Sequence, residues 1–226
     1  MLWWIYELVF WAALVMVSPY YLLRMKRRRG YARDFMERFG IFEQTKLKTL
    51  RGMRPVWIHA VSVGEVDLAL QLIQKLLEGP NPPSLVLSTT TSTGHALAAR
   101  KLPPHVPLFY YPLDSRFCFG RIHNFLLPHA FILIEAELWP NHLRFCGEKK
   151  VPVMLINARL SKRFYPRYRK FQWLFAPAFH AFRQVTLQSQ DDCERLQLLG
   201  FLPEALLVVG NLKYDTATGI DAERRS

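Results

Sequence analysis

From Pro55 onward the chain alternates between short apolar runs and helical patterns, and this alternation limits the possible fold more than any other feature. The runs are Val56–Ala60, Leu85–Ser88, Leu108–Tyr111, Ala130–Glu135, Val153–Asn157, Gln184–Gln188 and Leu206–Gly210. Between them, apolar residues recur at helical spacing over Glu65–Glu78, Gly94–Lys101, Arg116–Phe125, Asn141–Lys149, Tyr165–Phe182 and Asp191–Leu199. Several runs are apolar throughout, as strands of a parallel sheet covered on both faces must be. The pattern predicts an α/β fold with a Rossmann-like parallel sheet over residues 55–215, long enough for one core. No Gly-x-Gly-x-x-Gly follows the first run, which argues against a dinucleotide site. Gly79-Pro80-Asn81-Pro82-Pro83 reads as a surface connection.

The N-terminus is of a different kind. Leu2 to Leu23 carries only one charge, Glu7. As a helix it would be about 33 Å long, enough to cross a hydrocarbon core. Trp3, Trp4, Tyr6, Trp11, Tyr20 and Tyr21 lie near its ends, as membrane interfaces favour. The basic residues follow the apolar run and no cleavage site is evident, so a signal peptide is a poor match. A basic segment spans residues 24–54, where eleven Lys and Arg meet only Asp34, Glu37 and Glu43, so most of the chain's net +12 lies there. By the positive-inside rule the domain is expected on the cytoplasmic face, with anionic lipids as partners. A nucleic-acid partner is not expected, because no binding motif accompanies this charge. Glu7 sits awkwardly at mid-depth, so a helix lying in the interface is the alternative to a spanning one. Cys118, Cys146 and Cys193 are scattered, and the seven histidines show no metal-ligand spacing, so neither a disulfide framework nor a bound metal is expected.

Polar clusters follow the apolar runs, where a parallel sheet would gather them on one edge. The first is Ser62-Val63-Gly64-Glu65, with Gly64 allowing a sharp turn or close approach and Glu65 a carboxylate at the mouth. From the motif alone the same residues read more readily as a capping box, Ser62 to Glu65. The second, Thr90 to Gly94, places Thr91, Ser92, Thr93 and Gly94 at a helix start, either as an anion site or as an N-cap. The third, Glu135-Ala136-Glu137-Leu138-Trp139-Pro140-Asn141, puts Glu135 and Glu137 at the end of an apolar run, where carboxylates are costly unless paired or used. The fourth is Asn157-Ala158-Arg159-Leu160-Ser161; Arg159 suits a phosphate or carboxylate, or a bridge to Glu135 or Glu137. The fifth is Gly210 to Asp215, containing Lys213.

These clusters, in this order, resemble the bacterial 3-deoxy-D-manno-octulosonic acid (Kdo) transferases of lipopolysaccharide synthesis. The likeness rests on His59–Glu65, Thr90–Gly94, Glu135–Asn141, Asn157–Ser161, Gln188 with Asp191 to Gly200, and Gly210–Asp215, and extends to Glu37-Arg38-Phe39-Gly40. Ala136 departs from it where a Thr is usual between the two glutamates. The resemblance implies the N-terminal domain of a GT-B glycosyltransferase, with residues 216–226 opening a linker to a C-terminal donor domain. It implies transfer of Kdo from CMP-Kdo, a substrate and not a cofactor, to a lipid A precursor (lipid IVA) at the inner membrane. No other cofactor is implied. Glu65 would be the base, its charge favoured by the helix N-terminus at some loss of basicity. Ser62, Gly64, Thr91, Ser92, Thr93, Gly94, Glu135, Glu137, Asn157, Arg159 and Ser161 would bind acceptor or shape the site, and Lys213 would border the donor side. The alternative is a membrane-anchored lipid A-binding fragment without catalysis.

Overall fold

The computed structural model describes residues 2–27, 34–135, 138–159 and 165–210. In chain order these form α1 (Leu2–Arg27), a 3-10 turn (Phe35–Phe39), α2 (Gln44–Leu50), β1 (Val56–Ala60), α3 (Val63–Leu77), β2 (Leu85–Thr89), α4 (Ser92–Lys101) and β3 (Leu108–Tyr110). They continue with α5 (Arg116–Leu126), β4 (Ala130–Ile134), α6 (Pro140–Lys149), β5 (Val153–Ala158), α7 (Tyr165–Lys170), α8 (Gln172–Phe179), β6 (Phe182–Leu187), α9 (Gln190–Leu198), a 3-10 turn (Pro203–Ala205) and β7 (Leu206–Val208). The strands form one sheet in the order β3-β2-β1-β4-β5-β6-β7, and each neighbouring pair is parallel.

Side chains alternate across each strand, so the sheet has two buried faces. On one face Trp57, Val86, Phe109, Phe131, Leu133 and Leu155 pack with α5, α6, α8 and α9. On the other, Ile58, Ala60, Leu87, Ile132 and Ile134 pack with α3 and α4. Trp57 centres the first face, with the rings of Phe131 at 5.1 Å and Phe109 at 5.4 Å, and its indole N–H donates to Ser88 Oγ at 2.7 Å. Such aromatic pairs contribute about 1 kcal/mol each beyond their buried area.

The seven expected strands are present, with β6 beginning two residues earlier than the apolar run suggested. The single helix expected over Tyr165–Phe182 is instead two, α7 and α8. The chain leaves helical geometry at Phe171, where φ is −108° and ψ 20°, and Phe182 already belongs to β6. Uninterrupted apolar composition conceals such a break, because periodicity carries no mark of it. Residues 34–54, read from their charge, contain structure packed on the sheet. Leu50 of α2 is fully buried, and the buried Glu37 carboxylate accepts from Lys46 Nζ and, at 2.8 Å, from the Tyr110 backbone N–H. Gly40 closes the first 3-10 turn with φ +69°, and a Cβ there would lie 3.0 Å from Arg121 Cβ. Among the described residues α1 alone is long and apolar enough to cross a membrane.

Candidate active site

Parallel strands send the loops after β1, β2, β4 and β5 to one edge of the sheet. Successive connections proceed in opposite directions from β1, toward β2 and β3 on one side and toward β4 to β7 on the other. A crevice forms at such a reversal and is where ligands bind in open α/β sheets. Glu65, in the first turn of α3, and Glu135, directly after β4, stand at this point.

Glu65 is only 8% exposed. Its Oε2 accepts the Val61 backbone N–H at 2.8 Å and its Oε1 accepts the Ser62 hydroxyl at 2.9 Å. Burial pushes its carboxyl above the usual glutamate range, against the lowering effect of the Val61 and Ser62 bonds, and the Glu135 charge pushes it further up. This reverses the expectation that the helix N-terminus would make Glu65 a weaker base: loss of solvent outweighs the dipole and the hydrogen bonds. The capping-box reading holds in one half only. Glu65 reaches back over the turn, but the Ser62 side chain accepts no helix N–H and donates its proton to Glu65 instead. Gly64 is exposed in the helical turn and has no positive φ, so a sharp turn is not its reason for being there. The bend is already made at Ser62, which is extended with φ −105° and ψ 170°.

The second cluster locks onto the first through one residue, Val61. While Val61 N–H holds Glu65, the Val61 carbonyl accepts both the Thr91 hydroxyl at 2.7 Å and the Thr91 N–H at 3.2 Å. Thr91 is also the N-cap of α4, accepting Gly94 N–H at 3.1 Å. A Cβ on Gly94 would stand 2.9 Å from Thr91 Oγ1 and 3.2 Å from the Val61 carbonyl, so this close crossing requires glycine. The N-cap reading of Thr91 is therefore observed. Ser92 is half-buried and Thr93 exposed beside it. Arg38 ties the first 3-10 turn to the same loop, donating to the Thr90 carbonyl at 2.6 Å and lying 4.7 Å above the Tyr110 ring.

Glu135 and Asn157 both adopt left-handed backbone conformations, with φ of +66° and +59°. They are neighbours across β4 and β5, joined where Glu135 N–H donates to the Ile156 carbonyl at 2.9 Å. Left-handed glutamate is uncommon and such positions concentrate at functional sites. Asn157 is buried, its N–H donating to Thr186 Oγ1 at 2.9 Å and its carbonyl accepting from Gln188 Nε2 at 3.1 Å. Arg159 is exposed and makes no ion pair among the described residues. Glu137, Ser161 and Lys213 lie outside the described residues.

Several supporting groups carried no sequence signal for their role. His59 is buried, stacks on Tyr111 at 3.7 Å, and places Nδ1 3.0 Å from both the carbonyl and the hydroxyl oxygen of Ser88. Burial pushes it down to about 3, so it is neutral. Asp114 is buried where α5 and α6 begin, accepting the N–H groups of Asn141 at 3.2 Å and His142 at 3.0 Å. Burial pushes its carboxyl up to about 6. The fold also gathers His123, His142 and Cys146, whose donor atoms lie within 4.8 Å of one another, although their spacing suggested no metal site. His142 Nδ1 there meets the Tyr111 hydroxyl at 2.5 Å and its Nε2 meets His123 Nε2 at 3.5 Å, a pairing that engages both rings within a packed aromatic layer. A depression of about 420 Å³ lies elsewhere, between α2 and α5 near Leu47, Arg51, Arg121 and Phe125, and contains none of the expected site residues.

The geometry can be set beside known proteins. The chain matches the 3-Deoxy-D-manno-octulosonic-acid transferase (kdotransferase) family over residues 33–216. It is 32% identical over 204 residues to the 3-deoxy-D-manno-octulosonic acid transferase of Haemophilus influenzae, covering 90% of this chain and 47% of the relative. It is 34% identical over 174 residues to the Bordetella pertussis protein of the same name, covering 72% and 38%. A bifunctional glycosyltransferase/methyltransferase of Fusobacterium nucleatum is 30% identical over 213 residues, covering 92% and 31%. The chain thus spans about half or less of the length of these relatives. The parallel sheet, the crevice carboxylates and the family match over most of the sequence together place the chain in the 3-deoxy-D-manno-octulosonic acid transferase family.

Proposed function

We propose that this chain is the acceptor-binding half of a Kdo transferase and acts in lipopolysaccharide synthesis at the inner membrane. The observation that carries the reading is Glu65: a buried carboxylate at the β1/β4 crevice, fixed by Val61 and Ser62, with Glu135 close enough to raise its proton affinity. An acceptor hydroxyl of the lipid A precursor attacks the anomeric carbon of Kdo. The new C–O bond forms as the bond from that carbon to the CMP phosphate oxygen breaks, and the hydroxyl proton passes to Glu65. Each carboxylate oxygen retains a lone pair beyond its present bond, so Glu65 can accept this proton without leaving its place. A proton affinity raised toward neutral suits a general base better than an ordinary glutamate would. Glu135 and Asn157 shape the acceptor side of the crevice. Ser92, Thr93 and Arg159 supply hydroxyls, helix-start N–H groups and a cation for acceptor phosphate or sugar oxygens, while Thr91 and Gly94 shape the loop that carries them. The donor CMP-Kdo belongs to a second domain of the GT-B pair, with Lys213 on its side of the cleft. Anionic lipids engage the basic stretch that follows the N-terminal helix.

The test is Kdo transfer in detergent from CMP-Kdo to a tetra-acylated lipid A precursor, by this chain alone and with a CMP-Kdo-binding C-terminal domain supplied. Transfer only in the second case supports the reading. Binding of the lipid without transfer in either case would replace it with a non-catalytic lipid-binding role.

A further inference from the structure

The N-terminal helix is apolar on all sides, yet it is docked on the domain along one stripe. Trp3, Tyr6, Glu7, Phe10, Trp11 and Leu14 are half-buried, at the spacing of one helix face. The contacts are specific. Tyr6 donates its hydroxyl to Asp114 Oδ2 at 2.8 Å. Glu7 accepts from Ser115 Oγ at 2.6 Å, from Asn141 Nδ2 at 2.7 Å and from Trp11 Nε1 at 3.2 Å. Arg144 lies 4.8 Å over the Trp3 ring. Ser115 caps α5 and Asn141 lies in the first turn of α6, so the only acidic residue of α1 meets two helix N-termini, where a carboxylate is favoured. These starts follow β3 and β4, so the first third of α1 sits at the carboxyl edge of the sheet, beside the crevice. The opposite face is bare: Trp4, Leu8, Val15 and Met16 are 75%, 71%, 69% and 81% exposed.

This arrangement excludes a crossing. From Trp3 to Arg27 the helix is about 36 Å long. If it spanned a core of about 30 Å, its two ends would stand on opposite sides of the bilayer. A domain attached after Arg27 could not then touch Trp3 to Trp11.

We propose that α1 lies along one leaflet, with Glu7 as the latch that holds it to the domain and the face of Trp4, Leu8, Val15 and Met16 immersed in lipid. The occupant is a lipid leaflet because the bare face is apolar over four turns and the helix runs on into Arg24, Lys26 and Arg27, a charge suited to anionic head groups. The crevice is thereby held at the membrane surface, where an acceptor anchored in the same leaflet reaches it laterally. This rests on the membrane association proposed above.

The experiment uses the full chain with a cysteine added ahead of Met1; the three native cysteines are buried. A membrane-impermeant maleimide should label it in inverted inner-membrane vesicles and leave it unlabelled in intact spheroplasts. The reverse pattern means a spanning helix and overturns the inference while leaving membrane association standing. Recovery of the chain in the soluble fraction overturns both. A second arm reads the latch. Cysteines replacing Trp3 and Arg144 should cross-link through a short bismaleimide, and Glu7→Ala should slow that reaction about tenfold, as loss of charged hydrogen bonds implies. An unchanged rate would overturn the role of Glu7.

Discussion

Thr91 offers a sharp test of how the site is held. Its hydroxyl donates to the Val61 carbonyl at 2.7 Å and accepts Gly94 N–H at 3.1 Å, so Thr91→Val deletes two hydrogen bonds at nearly constant volume. At about 1 kcal/mol net for each, the loss is about 2 kcal/mol. For a domain of this size that lowers Tm by about 4 to 8 °C. Thr91→Ser keeps the hydroxyl and should recover most of the loss. Gly94→Ala acts on the same crossing from the other side. Its Cβ would press on Thr91 Oγ1 at 2.9 Å and the Val61 carbonyl at 3.2 Å, and forcing the turns apart costs about 1 to 3 kcal/mol. Because Val61 N–H holds Glu65, both changes should also impair transfer in a complete enzyme. The assay is urea denaturation in mild detergent followed by far-UV circular dichroism. Equal destabilisation by Thr91→Val and Thr91→Ser, or less than about 0.5 kcal/mol for Thr91→Val, would refute the argument that this hydroxyl ties the two loops together.

Acid should destabilise the fold well above the usual carboxylate range. Burial holds His59 at about 3 and His95 and His123 at about 4, so their stabilisation is present above pH 6.5 and is lost as pH falls toward those values. Asp114, raised to about 6, works in the opposite sense, its contribution being full below its ordinary range and lost as pH rises through 6; Glu65 and Glu37 are raised as well. His142 is also held well below its usual range, so four histidines oppose three carboxyls, and stability should fall by about 1 kcal/mol per pH unit between pH 6 and 5; a urea midpoint that rises over that interval would contradict it. Lys46→Met should cost about 3 kcal/mol at pH 7 by leaving the Glu37 carboxylate buried beside no cation, and distinctly less at pH 5, where Glu37 can take a proton; equal losses at both pH values would count against the ion pair.

Much of this architecture was legible because parallel strands buried on both faces have to be apolar throughout. Val56–Ala60, Leu85–Ser88 and Ala130–Glu135 announce themselves in that way, and the polar clusters at their ends then fall on one edge by topology alone. The break at Phe171 was not legible, since α7 and α8 share one apolar composition. Nor was α2, where Lys46 and Lys48 made the segment look like a charged tether while Leu50 enters the core. Around the site, residue type identified Glu65, but its proton affinity depended on burial that no local sequence reports. Glu135 and Asn157 were chosen for their chemistry; their left-handed backbones come from the way β4 and β5 end side by side. Glu7 looked like a misplaced charge in a hydrophobic helix. Its partners, Ser115 and Asn141, lie more than a hundred residues away, beyond the reach of any periodicity argument.

The central claim is that Glu65 takes the acceptor proton. Its most direct test is the pH dependence of Kdo transfer by the chain joined to a CMP-Kdo-binding domain, with Glu65 and with Glu65→Gln. The account predicts a rate that rises through an apparent pKa above the ordinary glutamate range. It also predicts a loss of about a thousandfold or more in kcat with Gln, whose amide keeps the shape but cannot take the proton, while lipid binding and Tm stay close to those of the parent. Transfer by Glu65→Gln within a few-fold of the parent, with the same pH profile, would contradict it.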